Sequence, residues 1–233
     1  MAARSWKFES SPGHQRICDR PRAEEGDVIP VAVKLHVDDI PATLALGDSV
    51  AIDTETLGLN PLRDRLCLLQ LSSGDGIGHI VQFRAGAYDA PNLKRVLADP
   101  KVTKIFHFAR FDLAVIAHYL GIECRPVYCT KIASKLTRTY TDKHGLKDLC
   151  AELLGVDLSK QQQTSDWGRE ELTREQLEYA ASDVLHLHRL KDILDRRLAR
   201  EDRKALADAC FEFLPSRARL DLLGWAEQDI FAH

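Results

Sequence analysis

Ser49-Val50-Ala51-Ile52-Asp53-Thr54-Glu55 decides the fold: an apolar run closes on two acids with one residue between them. Side chains of a strand alternate faces, so Asp53 and Glu55 project to the same side. Two carboxylates this close repel, and burying them adds a further cost. A divalent cation between them removes both penalties. Taken alone, an acid pair at a strand end also reads as plain surface charge.

Working outward, Leu66-Cys67-Leu68-Leu69-Gln70-Leu71 is a second apolar strand, closed by the turn chemistry of Ser72-Ser73-Gly74-Asp75-Gly76. His79-Ile80-Val81-Gln82-Phe83 is a third, so the first three strands are expected to be joined by hairpin-like turns. Upstream, Pro41 and residues 42–46 suggest a short helix. Downstream of Pro91 the period changes: residues 102–106 read as a strand, and 111–120 as a helix stopped by Gly121. Helical stretches follow at 131–136, 145–154 and from Thr173 onward, where Thr173 and Gln176 make a capping box. Strands first, then strand and helix in alternation, predict an α/β fold: a mixed five-stranded sheet flanked by helices on both faces.

The chain has 233 residues, 45% hydrophobic and 29% charged, with a formal net charge of −3. That balance fits a soluble globular protein and excludes a partner chosen by bulk positive charge. No run approaches the roughly 18 apolar residues of a membrane span. Six cysteines are scattered without a C-x-x-C pair. They read as free thiols in a reducing compartment, which predicts a cytoplasmic protein. Residues 1–30 mix both charge signs with few apolar residues and read as a flexible N-terminal extension, leaving 31–233 as one catalytic domain with a C-terminal helical segment.

Two further acidic positions stand at element boundaries. Asp112 follows Phe111 where a strand gives way to a helix; a first-turn Asp facing the helix dipole is the alternative reading. Tyr179 and Asp183 are four apart, which stacks them on one helix face, at the flank of the stripe Leu177, Ala180, Val184, Leu187. An ordinary amphipathic helix is the alternative there.

Together, Asp53-x-Glu55, Phe111-Asp112 and Tyr179-x-x-x-Asp183 resemble the DEDD superfamily of 3′→5′ exonucleases, in its tyrosine subclass, over residues 49–195. Asp166-Trp167 and the run from Leu172 to Tyr179 are similar to RNase D. A narrower resemblance, to the nano-RNase C family, rests on Asp53-Thr54-Glu55-Thr56-Leu57-Gly58-Leu59, on Arg63-Asp64-Arg65-Leu66-Cys67, on the stretch 131–142, on Ser159-Lys160-Gln161-Gln162-Gln163 and on Leu222-Leu223-Gly224-Trp225. One departure is Phe108, where many superfamily members have Asn.

The resemblance implies an RNase H-like fold and metal-dependent hydrolysis of short oligoribonucleotides, dinucleotides such as pGpG above all, to nucleoside 5′-monophosphates. It implies two divalent cations, Mg²⁺ or Mn²⁺: Asp53 would bridge them, Glu55 and Asp183 would hold the water-activating ion, and Asp112 the other. Tyr179 would orient the attacking water, since a phenol with a reference pKa of about 10 is a poor base. Thr54, Leu59, His107, Phe108, Lys131 and Trp167 are the expected substrate contacts: Leu59 as a wedge between bases, His107 and Phe108 as stacking surfaces. Leu59 in the core and Trp167 as a structural anchor are the alternatives. Lys131, Lys135, Arg138, Lys143 and Lys147 form a local basic excess that fits phosphates or a solvated helix face. The apolar C-terminal stretch 220–231 fits either the chain's own core or a subunit interface, and the resemblance, to a ring-shaped octamer, favours a homo-oligomer. Two other functions remain open at this stage. One is a general RNase D-like exonuclease trimming longer RNA, or DNA; the other is an inactive nucleic-acid-binding scaffold.

Overall fold

The computed structural model of the chain describes residues 32–159, 161–162 and 164–232. The extension expected at 1–30 and parts of the stretch 159–163 lie outside them. Among the described residues the sheet has six strands in the order β1-β4-β3-β2-β5-β6: β1 (Ala32–Val37), β2 (Ser49–Thr56), β3 (Leu66–Ser72), β4 (Ile77–Gln82), β5 (Thr103–Phe106) and β6 (Val127–Cys129). The sheet is mixed: β2 and β4 run antiparallel to β3, while β1, β5 and β6 join their neighbours in parallel.

The class is as expected, with one strand more than the five foreseen. The edge strands account for the difference. β1 is mostly exposed and β6 has only three residues, so neither carries a readable apolar period. The helix expected at 42–46 does not form; the segment is irregular, and the Asp39 carboxylate accepts from the Asn92 and Leu93 N–H groups across it.

Among the described residues seven α-helices flank the sheet: α1 (Pro91–Ala98), α2 (Ala109–Leu120), α3 (Thr130–Thr137), α4 (Leu146–Leu149), α5 (Arg174–Leu185), α6 (Leu187–Arg200) and α7 (Lys204–Leu220). α2 stops at Gly121, whose φ of 67° is the left-handed cap that glycine adopts without strain. The Thr173 capping box is present, with Thr173 accepting from Gln176 N–H and Gln176 returning the bond. The single long helix foreseen from Thr173 is two, divided at His186.

Two layers of apolar packing follow from the strand alternation. The larger core lies on the face of Leu69, Leu71 and Val81, against α1 and α2. The opposite face carries Leu68 and Ile80 and is covered by Ala180 and Ala181 of α5 and by the buried Trp167 of the loop before it. Here helix and sheet approach closely: a Cβ built on Gly78 would stand 2.5 Å from the Ala181 Cβ.

The C-terminal segment after α7 is clasped by two arginines. Arg110 donates to Asp221 at 2.5 and 2.8 Å and to the Ala226 carbonyl at 2.6 Å. Arg217 donates to the same carboxylate at 2.5 and 3.1 Å. Leu223, Trp225, Ile230 and Phe231 nonetheless stay exposed.

Candidate active site

Asp53 and Glu55 stand on one face of β2, at the end where its pairing with β3 becomes irregular. Above them, α5 supplies Tyr179 and Asp183 from successive turns. Carboxylate oxygens of Asp53, Glu55 and Asp183 come within 4.8 Å of one another. Asp112 lies beside this triad at the first turn of α2, almost fully buried, and its Oδ1 accepts from the Thr54 hydroxyl at 2.6 Å. So the four acids expected from three separate sequence elements come together, with Asp53, Glu55 and Asp183 at the floor of one cleft and Asp112 buried beside them.

Their electrostatics are those of a site awaiting positive charge. None of the four acids takes part in an ion pair among the described residues. Burial raises the Asp53 pKa to about 7, opposed by the Thr54 N–H bond. Burial first and mutual repulsion second push Glu55, Asp112 and Asp183 well above the carboxylate range. Burial and then Asp183 raise Tyr179 too, so its hydroxyl stays protonated and acts as a hydrogen-bond donor. An all-carboxylate, hard-oxygen donor set with no cationic partner is what Mg²⁺ or Mn²⁺ takes.

The cleft over this floor has a volume of about 330 Å³; its walls include His107, Phe108, Lys131, Lys147 and Ser159. Phe108 is about half exposed, with a left-handed backbone (φ 68°) that a bulky residue adopts only at a cost. Asn takes this conformation readily, which is why Phe at this position marks a departure. The Lys131 ammonium sits 4.1 Å from the centre of its ring. Beyond Phe108 opens a second cleft of about 520 Å³, between the loop of Leu59 to Arg63 and the clasped segment at Asp221 and Ala226. Leu59 is 88% exposed at its edge, which leaves it available as a wedge and excludes the core alternative.

Three expected contacts are held in place by neighbouring residues. Thr54 is buried, with its hydroxyl committed to the Asp112 carboxylate. Trp167 is 3% exposed and packs against Tyr179 with ring centroids 6.0 Å apart; it props the phenol and has no face left for a base. His107 lines the cleft with Nδ1 tied to the Thr130 hydroxyl at 2.9 Å, and burial, then Lys131, lowers its pKa to about 3, which keeps it neutral. The basic excess also divides. Arg138 is fully buried, binding Glu152, Ser134 and the Lys143 carbonyl, and Lys147 pairs with Asp157. Only the spacing of Arg138 from Ser134, four residues, hinted at that inward turn.

A family profile described as 3′-5′ exonuclease matches residues 30–199. NrnC of Brucella melitensis with bound Mg²⁺ is 60% identical and superposes with a TM-score of 0.83 over 87% of this chain and 99% of that one. NrnC bound to pGG is likewise 60% identical, with a TM-score of 0.85 and the same coverage. Ribonuclease D of Gluconacetobacter diazotrophicus is 35% identical over 66% of this chain and 39% of its own length. The chain thus spans about two fifths of the ribonuclease D relatives it matches. The chain belongs to the 3′-5′ exonuclease family of the DEDD superfamily. Within it, the resemblance to NrnC extends over nearly the whole of the solved NrnC chain.

Proposed function

We propose that this protein is a metal-dependent 3′→5′ exoribonuclease of the tyrosine-type DEDD subclass, and that it converts short oligoribonucleotides, dinucleotides such as pGpG in particular, into nucleoside 5′-monophosphates. One observation carries the reading. Three carboxylates converge within 4.8 Å beside Asp112 and Tyr179, without a cationic partner, at the floor of a cleft.

Asp53, Glu55 and Asp183 would hold one divalent cation, with Asp53 shared to a second held by Asp112. Two such ions supply the Lewis acidity that ionises the attacking water and offsets charge on the leaving 3′-oxygen. The remaining work belongs to the chain. Tyr179, propped by Trp167, donates a hydrogen bond that orients the attacking water. Thr54 holds Asp112 in its ligating rotamer. Lys131 offers its ammonium to the phosphate, and Phe108 presents its ring to a base, a stacking contact of about 1–3 kcal/mol.

The two clefts support a preference for short substrates. They share Phe108, one acidic and one lined by Leu59, Pro61 and Phe111, and volumes of about 330 and 520 Å³ suit roughly one nucleotide each. The pGG ligand of the NrnC relative supports the same length. The exposed Leu223, Trp225, Ile230 and Phe231 fit a homo-oligomer, the octamer of the resemblance included. The five cysteines among the described residues are all free thiols, which supports a cytoplasmic setting. No helix among the described residues is long and apolar enough to cross a membrane.

The test is a time course on 5′-labelled RNAs of two to ten nucleotides, and on matching DNA, with Mg²⁺, Mn²⁺ or EDTA. The expected result is fast loss of the diribonucleotide, slow loss of longer chains and none in EDTA. Even trimming of every length would replace the dinucleotide preference with a general RNase D-like activity. No metal-dependent cleavage would leave a binding scaffold.

A further inference from the structure

Every residue of β3 is buried, and one of them is out of character. Gln70 is 0% exposed, and neither its Nε2 nor its Oε1 has a hydrogen-bond partner among the described residues. A primary amide brings two donors and two acceptor lone pairs into a layer that is largely apolar around it. Buried side-chain amides are nearly always partnered, so an orphaned one calls for a reason.

Its register supplies one. In the antiparallel β2–β3 ladder Gln70 stands directly opposite Asp53, and on its other side it faces Ile80 of β4. Directly opposed residues of such a pair share a face, with Cβ atoms about 4.5–5.5 Å apart. That face is the one covered by α5, and Ile80 is packed there against Ala180 and Ala181. Gln70 therefore has apolar neighbours on the β4 side and the Asp53 carboxylate on the β2 side. Its two methylenes against the one of aspartate let the amide reach the carboxylate oxygens with a change of rotamer or through one water.

We propose that Gln70 is a positioning residue for Asp53: unpartnered in the metal-free protein, its Nε2 turns to donate to the Asp53 carboxylate when the cation is bound and holds it in the orientation that ligates the cation. The inference rests on the metal-dependent reading above. It assigns the buried amide a role outside the ligand set, of the kind whose loss typically costs about 10–100-fold in metal affinity or activity.

Gln70→Met tests it, because methionine keeps the length of the side chain and removes only the amide; Gln70→Leu is the second variant should the first not fold. Three quantities are read on the full chain: the Mn²⁺ dissociation constant by calorimetry, the Mg²⁺ concentration giving half-maximal hydrolysis, and the melting temperature in EDTA. Mn²⁺ affinity is expected to fall about tenfold or more, with half-activation moving to higher Mg²⁺ by a similar factor. The substrate KM at saturating metal stays unchanged, and so does the melting temperature or it rises, since an unpartnered amide has been exchanged for an apolar group of like shape. A lower melting temperature with unchanged Mn²⁺ affinity would make Gln70 a packing residue and overturn the proposal, as would a variant indistinguishable from wild type. Failure of the underlying reading shows separately, as wild-type protein that binds no Mn²⁺.

Discussion

Asp221 and Asp53 are both carboxylates drawn away from water, and the chain treats them in opposite ways. Asp221 lies between Arg110 and Arg217, with four nitrogen–oxygen distances from 2.5 to 3.1 Å. Burial pushes its pKa up, but the hydrogen bonds from the two arginines outweigh this and leave it below the usual value. Asp53 faces three other acids and no arginine, and burial drives it the other way. Arg110 is only two residues from Asp112, so proximity does not explain the difference; the direction of each side chain does. A carboxylate placed for stability brings its counter-charge with it, and one placed for chemistry leaves the position open for a soluble cation.

The contrast breaks most visibly at Asp53. Asp53→Asn removes the acid shared by both proposed ions, so hydrolysis of a labelled dinucleotide should fall about a thousand-fold or more, several kcal/mol of transition-state stabilisation. The same variant in EDTA at pH 8 should melt no lower than wild type, because one of four mutually repelling charges has gone. Retained activity would end the metal assignment.

Asp221→Asn should show the opposite profile. It strands two arginines against a neutral amide and is expected to cost about 2 kcal/mol in urea unfolding. That is less than for a fully enclosed pair because the Arg110 side chain is 36% exposed. The effect on kcat should be small beside that of Asp53→Asn.

The smallest effect sharpens the comparison through pH. The site carboxylates have folded pKa values above their unfolded value of about 4. Their contribution to the metal-free fold is therefore full below pH 4 and is lost as pH rises, for Asp53 toward about 7. Asp221, with its folded value depressed, contributes above pH 4 and loses that contribution on acidification. Added Mg²⁺ should accordingly raise the melting temperature by several degrees at pH 8 and by less at pH 5.5. The gap between wild type and Asp221→Asn should close as the pH falls below 4. Thermal melts across pH with and without Mg²⁺ check both slopes.

Much of this site was legible in the residues because its signals are local. Asp53-x-Glu55 on a strand and Tyr179-x-x-x-Asp183 on a helix are spacings that fix a common face before any tertiary structure is known. The expectation that the hairpin turns would join the first three strands also holds for β2, β3 and β4. What escaped depends on contacts distant in sequence. Thr54 meets Asp112 across 58 residues and Arg110 meets Asp221 across 111. No period or spacing announces such pairs. Arg138 belongs to a basic run that reads as exposed, whereas the fold turns it inward; Trp167 is the structural anchor weighed against a substrate contact. Gln70 was hidden by the reverse effect, a single polar letter inside an apolar run.

The contact of Gly78 with Ala181 carries a consequence for selectivity. Asp53 and Glu55 belong to the sheet and Asp183 to the helix, so the spacing between the two donor sets is the height at which α5 rests. That height is set where the helix touches backbone, at a residue with no side chain. A methyl at position 78 would lift the helix and widen the aperture between the donors. Ion choice among hard cations follows cavity size, so Gly78→Ala is expected to weaken the preference of the proposed site for small Mg²⁺ over larger Ca²⁺, from a position outside the carboxylate cluster.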